Sequence, residues 1–478
     1  MGIPSYFSHV IRNYSQIIRK LHQCNRFQHL FLDCNSFVYG AWASIEKRIR
    51  EGRLTMEEIS KRGGIEELII FYTIQDIREQ IGFIKPEKSI FIAFDGIPPY
   101  GKMLQQRQRR YKSCFNRLHA SEQEPIWDTV AITPGTPFME QLSSAIYTAF
   151  NNTESQFHVE KVMVSCSDEK GEGEHKIFKY IRENSLQNDE VAIYGLDSDL
   201  IMLAIFHQHC CKRIHVYREA PEFKTVVSDI QPNERLFLDI RELCVSINEI
   251  MGCEETQINR VYDYVFMCFL LGNDFLPGFP ALNIRTHGLQ VLMDTYREVI
   301  GKGSETLLNV KTKEINIKEL KKYIERIGRK ECELLKCEIE NRRKYEKWIW
   351  KKEEEMKMNA PKILRHREEY INPYEEGWEK RYEMLYGNDV KQYIRKIVEV
   401  KKYYTGESNV LIEEEMIMGP LLSNIAKELG KHTKKESINE TTEKIIDVMP
   451  KKEIAKELIY IMDFKHYDWE CHAINIDR

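Results

Sequence analysis

Residues 171–200 of this chain read GEGEHKIFKYIRENSLQNDEVAIYGLDSDL. The stretch has a helix-like apolar period and then the short apolar run Val191–Tyr194, which is typical of a buried strand. Carboxylates stand in two pairs near glycines at the edges of these elements: Glu172, Glu174, Asp197 and Asp199. Carboxylate oxygens are ligands that Mg²⁺ prefers, and burying four such charges without cations is very costly. The stretch therefore predicts a metal site, with four solvated surface acids as the alternative for this window alone.

The other strand-like runs of the chain are also short and apolar. Together the runs are His29–Leu32, Ser89–Phe94, Lys161–Ser165 and Val191–Tyr194. Helical patterns such as Ile65–Ile81 and Pro137–Phe150 lie between them. Strands that alternate with helices form right-handed βαβ units, and continuous apolar strands are typical of parallel sheets. The sequence therefore predicts an α/β fold with a mainly parallel sheet flanked by helices, followed by a largely helical C-terminal region.

Acids follow each of these runs, at the point where ligands bind in an open α/β sheet. Another acid, Asp274, closes the apolar segment Tyr264–Leu271. Seven carboxylates would then converge as catalytic residues and metal ligands: Asp33, Asp95, Glu172, Glu174, Asp197, Asp199 and Asp274. Two Mg²⁺ ions about 3.5–4 Å apart, with Mn²⁺ as a substitute, would balance that charge and support an in-line phosphoryl displacement.

A basic, amide-rich run, Lys102–Tyr111, comes shortly after Asp95. On a helix, one sector of roughly 100° carries four of its side chains: Lys102, Gln106, Arg109 and Arg110. Three cations and an amide on one face predict a cradle for a phosphate, to which arginine can donate two hydrogen bonds. A solvated basic face is the alternative for the run taken alone.

Composition sets limits on the class of protein. The formal net charge is −4, so a polyanion site must be a local patch rather than a global field. Twelve cysteines without a CxxC pair predict reduced thiols in the cytosol or nucleus, and the cytoplasm is the default because no clear basic nuclear-import cluster is present. The longest apolar run, Tyr264–Leu271, is too short to span a bilayer, so we expect no membrane role.

Short motifs along residues 1–290 resemble the Xrn-type 5′→3′ exoribonucleases and occur in that family's order. They are Met1–Pro4, Phe31–Asn35, Phe94–Gly96, Lys102–Arg110, Ile132–Thr136, Gly171–Lys176, Tyr194–Leu200 and Leu271–Pro277. Trp378–Tyr382 and Lys402–Tyr404 are similar to pieces of the family's second conserved block. The tryptophan- and tyrosine-rich stretch of that block is not visible in this sequence.

The resemblance implies a PIN/flap-nuclease-like sheet, Mg²⁺ bound by the seven acids, and a 5′-monophosphate held by Lys102, Gln106, Arg109 and Arg110. It implies a 5′→3′ exoribonuclease that degrades decapped or cleaved single-stranded RNA to mononucleotides in RNA decay or processing. Tyr39 stands where the family usually has a histidine that stacks on the first base, and an aromatic ring can still stack there. We expect the protein to be a monomer.

The expected domains are a nuclease catalytic domain over 1–300, a charged helical arm over 301–371, and a helical second block with a C-terminal cap over 372–478. The arm is interpreted either as solvated mixed-charge helices or as a guide for RNA. Two other functions stay open for the whole chain: a flap-type structure-specific DNA nuclease, and a non-catalytic RNA-binding scaffold on the same fold. The phosphate cradle argues against the flap-type DNA nuclease. The full set of seven acids argues against the non-catalytic scaffold.

Overall fold

The computed structural model describes residues 3, 5–98, 102–103, 105–107, 110, 126–220, 234–253, 260–309, 311–349, 365–406, 416 and 418–431. Within these residues a sheet of seven strands has the order β1-β7-β6-β5-β2-β3-β4. The strands are β1 (Ile18–Arg19), β2 (His29–Asp33), β3 (Ser89–Ala93), β4 (Lys161–Ser165), β5 (Leu186–Tyr194), β6 (Cys211–Glu219) and β7 (Arg235–Asp239).

Five neighbouring strands, β4, β3, β2, β5 and β6, run parallel, and β7 and β1 continue the sheet in antiparallel pairs. The chain moves outward from β2 through β3 to β4, then returns to the other side of β2 as β5. The carboxyl ends of β2 and β5 are therefore a topological switch point, where open α/β sheets bind ligands. The predicted mainly parallel sheet is confirmed; β5 begins earlier than its predicted run, and β1, β6 and β7 were not predicted.

The central strands are buried on both faces, which explains their continuous apolar runs. On β2, Phe31 packs into one core, while Leu30 and Leu32 pack into the core on the opposite face. Ile193 and Ala192 of β5 divide in the same way. Successive side chains of a strand point to opposite faces of the sheet. A shift of one residue in the strand pairing would therefore move each of these side chains into the other core.

Helices cover these two cores and build the C-terminal region. Their bounds are Tyr6–Asn13, Asn35–Arg50, Met56–Lys61, Ile65–Ile84, Pro137–Phe150, Glu154–Phe157, Gly173–Glu183, Asp199–His207, Ile240–Ile250, Val261–Cys268, Gly288–Tyr296, Ile317–Gly328, Glu331–Ile349, Arg365–Ile371, Trp378–Tyr386, Val390–Thr405 and Leu422–Leu429. Across the described ranges, no helix is both long and apolar enough to cross a membrane.

The charged region after residue 300 is not uniformly solvated. Leu320, Tyr323 and Ile324 of the helix Ile317–Gly328 are buried in the core that lies on the Phe31 face of the sheet. The helix Glu331–Ile349 contributes to a third cluster, which contains Ala281, Leu335, Ile339, Ile371, Trp378, Tyr382 and Leu421. The predicted limits of the arm and the second block stay predictions, and residues 432–478 of the predicted cap lie outside the described residues.

Candidate active site

Six of the seven predicted acids lie at the carboxyl ends of four neighbouring strands. Asp33 is the last residue of β2, Asp95 follows β3, and Glu172 and Glu174 begin the helix after β4. Asp197 follows β5, and Asp199 is the first residue of the helix Asp199–His207. Residues Asp33, Ala93 and Ser165 are in register across β2, β3 and β4, so these strands end at one level.

The acids lie close enough to perturb one another. Burial, followed by the charges of Asp95 and Asp197, raises the pKa of Asp33 well above its ordinary value. Burial, followed by the charges of Asp199 and Glu172, does the same for the pKa of Glu174. Burial also raises the pKa of Asp199 to about 6. Neighbouring buried carboxylates with raised pKa values favour the binding of positive charge, so this donor set fits divalent cations.

Two hydrogen bonds hold the Asp95 carboxylate in place. Its Oδ2 accepts from Asn35 Nδ2 at 2.7 Å, and its Oδ1 accepts from the Gly173 N–H at 2.7 Å. The second bond uses an N–H in the first turn of the helix Gly173–Glu183, where backbone donors are not bonded within the helix. Asn35, which was not predicted as a site residue, therefore links the ends of β2 and β3.

Asp274 reaches the site from a loop rather than from a strand end. The segment Tyr264–Leu271 is helical, in the helix Val261–Cys268 and a 3₁₀ turn at Phe269–Leu271. The loop then folds tightly, because Asn273 Oδ1 accepts the backbone N–H of both Phe275 and Leu276 at 2.9 Å. This turn brings the Asp274 carboxylate to the acids that follow the strands.

Lys102 lies among the carboxylates. Its Nζ is 3.0 Å from Glu172 Oε1 and 2.6 Å from Asp274 Oδ2, and the side chain is only 7% exposed. Burial opposes ionisation of Glu172, but the Lys102 ammonium outweighs it together with other groups, and the pKa of Glu172 is lowered. The neighbouring amide on this side is Gln105, whose Nε2 donates to Asp274 Oδ1. Lys102 and Gln105 therefore turn toward the acids.

The other predicted cradle residues lie in different places. Arg110 donates to Thr133 Oγ1 at 2.6 Å; burial lowers the pKa of its guanidinium, and the nearby Tyr39 acts in the opposite direction. The Tyr39 side chain is 48% exposed, which leaves its ring accessible to a ligand. Gln106 is half-buried, and Arg109 lies outside the described residues. The structure thus brings Arg110 and Tyr39 together, whereas Lys102 lies with the carboxylates.

Three functional candidates were not predicted as site residues. Tyr403 Oη donates to Glu172 Oε2, and Tyr404 Oη donates to Asp199 Oδ1 at 2.7 Å. The ring of His175 lies 3.8 Å from that of Tyr403, and one ligand atom each of Glu172, Glu174 and His175 lie within 4.8 Å of one another. Adjacent tyrosines in an amphipathic, lysine-rich helix were the available signal, but such a pattern alone is typical of core packing.

Comparisons with known proteins identify the family of this chain. Residues 1–220 match the family model described as the XRN 5′-3′ exonuclease N-terminus, and residues 255–410 match the Xrn1 helical domain. The first model covers strands β1 to β6 and six of the seven acids, and the second covers Asp274, Tyr403 and Tyr404.

Curated relatives are similar over a large part of this chain. The 5′-3′ exoribonuclease 2 of Eremothecium gossypii is 27% identical over 452 residues, which covers 76% of this chain and 44% of that protein. The 5′-3′ exoribonuclease 1 of Schizosaccharomyces pombe is 29% identical over 373 residues, which covers 71% of this chain and 27% of that protein. The chain thus spans less than half the length of these relatives. The two domain models, matched in order along most of the chain, show that it belongs to the XRN 5′-3′ exonuclease family.

Proposed function

We propose that this chain is a metal-dependent 5′→3′ exoribonuclease that hydrolyses 5′-monophosphorylated RNA to mononucleotides. The observation that carries the proposal is the convergence of carboxylates at the switch point between β2 and β5, in a chain of the XRN family. Relatives named 5′-3′ exoribonucleases support the same reaction. We place the activity in RNA decay or processing in the cytoplasm.

The seven acids would hold the divalent ions. Bound Mg²⁺ ions supply a water of lowered pKa and stabilise the charge on the leaving oxygen of a phosphodiester. The chain's contribution is to fix the oxygens around that centre: Asn35 and the Gly173 N–H orient Asp95, and the Asn273 turn orients Asp274. Burial of Glu172, Glu174 and Asp199 excludes bulk water, which strengthens the electrostatic interactions at the reacting phosphate.

The 5′ end of the RNA would bind beside this cluster. Arg110 offers a guanidinium for a terminal phosphate, and Tyr39 offers a partly exposed ring for the first base. Lys102 would contribute its ammonium between the phosphate and the acids. Gln106 and Arg109 complete the proposed set.

An RNA with a 5′-monophosphate is expected to disappear in the presence of Mg²⁺ and to persist in EDTA, while the same RNA with a 5′-triphosphate persists in both conditions. Replacing Arg110 by glutamine removes a charged donor, which is worth about 1.5–3 kcal/mol, so we expect KM for the monophosphate RNA to rise about 10–100-fold. The measurement is loss of 3′-labelled RNA over time.

The control for that experiment is Arg50→Gln, which removes an exposed guanidinium paired with Glu46. It is expected to leave KM unchanged. Equal cleavage of both 5′ ends would overturn the phosphate assignment but leave a nuclease. Equal cleavage of DNA of the same sequence would favour the flap-type enzyme, and RNA binding without cleavage would favour the scaffold.

Gly173 is expected to tolerate no side chain. A Cβ at this position would lie 2.7 Å from Asp33 Oδ1 and 3.2 Å from Ala93 O, so Gly173→Ala should displace the Asp33 carboxylate. Because a displacement of about 1 Å can cost about 100-fold in rate, we expect a loss of that order in kcat. The control is Gly82→Ala, where an added Cβ meets nothing within 4 Å. Equal kcat values for the two variants would contradict this placement of Asp33.

A further inference from the structure

The helix Val390–Thr405 ends beside the acids and presents two consecutive tyrosines to them. The Tyr403 hydroxyl donates to Glu172 and the Tyr404 hydroxyl to Asp199. Both side chains are buried, at 7% and 3% exposure. Consecutive residues on a helix point about 100° apart, which lets the two hydroxyls reach carboxylates that follow different strands, β4 and β5.

The two rings are held by their neighbours. Tyr403 lies between His175 and Phe275, with ring centroids 3.8 Å and 5.0 Å away, and Tyr404 packs against Phe269 at 4.9 Å. Phe269 and Phe275 belong to the segment that carries Asp274. The aromatic contacts therefore restrict the rotation of both rings and place the hydroxyls at fixed points.

The end of the helix is fixed as well. Gly406 adopts a φ of +74°, and its N–H donates to Tyr403 O at 3.1 Å, which terminates the helix directly after the tyrosines. The Arg182 guanidinium packs against Gly406 and donates to His207 Nε2 at 2.9 Å. Arg182 lies on the helix that begins at Gly173, and His207 lies on the helix that begins at Asp199, so the same helices that carry the acids also hold the tyrosines.

We propose that Tyr403 and Tyr404 are positioning residues, which orient Glu172 and Asp199 for divalent-ion binding; this inference rests on the proposed function. The hydroxyl of Tyr404 donates to Oδ1 of Asp199 and so restricts the rotation of this carboxylate. Groups that hydrogen-bond a metal ligand commonly contribute 10–100-fold to metal affinity. Through this pair, the C-terminal helical region controls the geometry of the metal site built on the sheet.

The test is Mn²⁺ binding to the free, RNA-free protein, measured by calorimetry for wild type, Tyr404→Phe and Tyr403→Phe. Phenylalanine keeps the ring and its packing but lacks the hydroxyl. We expect the Kd for Mn²⁺ to rise about 10–100-fold in each variant. The Mg²⁺ concentration that gives half-maximal nuclease activity should rise by a similar factor, and a high Mg²⁺ concentration should restore kcat.

The matched control is Tyr382→Phe. It also removes a buried hydroxyl, but this hydroxyl donates to a backbone carbonyl, Gly419 O, at 2.6 Å and not to a carboxylate. The melting temperature without metal should fall by a similar amount in all three variants. The Kd for Mn²⁺ should change only in Tyr404→Phe and Tyr403→Phe. An unchanged Kd in folded Tyr404→Phe and Tyr403→Phe would overturn the inference. If Tyr404→Phe does not fold, Tyr403→Phe decides alone. Failure of the wild type to bind Mn²⁺ would instead overturn the metal site of the proposed function.

Discussion

Glu174→Gln is expected to lower the nuclease rate by about 100–1,000-fold and, at the same time, to raise the melting temperature of the metal-free protein. Glu174 is buried beside Asp199 and Glu172, and its pKa is raised well above its ordinary value by burial and then by these charges. An amide keeps the shape of the side chain but removes its charge. It therefore relieves repulsion in the metal-free site while it removes a ligand charge that catalysis needs.

The sign of the stability change depends on the metal. Without metal, a carboxyl whose pKa is raised on folding makes the folded state less stable as it ionises, so its removal should raise the melting temperature by about 1–3 °C. With saturating Mg²⁺ the order should reverse, because an ion that binds only the folded state stabilises it. The measurement is thermal melting in EDTA and in Mg²⁺, alongside the rate of RNA loss.

Glu183→Gln provides the matched control, since Glu183 is an exposed residue near the end of the same helix. It should leave the rate unchanged and shift both melting temperatures equally. A Glu174→Gln protein that melts lower than wild type in EDTA, or that retains its rate, would contradict the assignment of Glu174 to a repulsive metal site.

Arg342→Met is expected to destabilise the protein by about 3–5 kcal/mol. The Arg342 side chain is 4% exposed, and it lies 3.2 Å from Glu338 Oε2 and 2.6 Å from Glu368 Oε1. Burial, with a further contribution from Glu368, raises the pKa of Glu338 to about 8 even with Arg342 in place. Without the guanidinium, the buried carboxyls of Glu338 and Glu368 lose the cation that both contact, and a buried charge is left uncompensated, which is why the expected loss is large.

Urea unfolding of wild type and Arg342→Met measures this loss. The double variant Arg342→Met/Glu368→Met should recover part of it, because it also removes the carboxylate that the single variant leaves without its guanidinium partner. Arg329→Met serves as the control: Arg329 is an exposed partner of Glu325 at 2.9 Å, and such pairs are worth at most about 1 kcal/mol. Similar losses in the free energy of unfolding for Arg329→Met and Arg342→Met would show that the buried ion pairs stabilise the protein no more than an exposed pair does.

The parallel centre of the sheet could be predicted because burial on both faces leaves continuous apolar runs in the sequence. β6 could not be predicted in this way, since the polar residues Arg213 and His215 interrupt its apolar residues. The acids after the strands could be predicted from topology, because parallel strands deliver their carboxyl ends to one edge. Asp274 was included in the set, although its segment is helical and the Asn273 turn is what places it.

Contacts between distant parts of the chain explain what sequence reasoning missed. Lys102 was predicted from helical spacing to face a phosphate, and only the folded arrangement shows its ion pairs with Glu172 and Asp274. The hydrogen bond from Tyr404 to Asp199 joins residues 205 positions apart, and no local pattern records such a contact. Local periodicity identifies elements, whereas the partners of a side chain depend on how the elements pack.

The separation of 205 positions between Asp199 and Tyr404 has a consequence for the order of events during protein synthesis. A ribosome makes the chain from the N-terminus, at about 5–20 residues per second. Asp199 is therefore made about 10–40 seconds before Tyr404, which is 205 residues further along. During that interval the sheet and most of its acids can form, but the two hydroxyls that orient Glu172 and Asp199 do not yet exist. A nascent chain would thus carry an incomplete metal site until the helix Val390–Thr405 has been translated and packed, which would delay the proposed nuclease activity while the chain is still attached to its own messenger RNA.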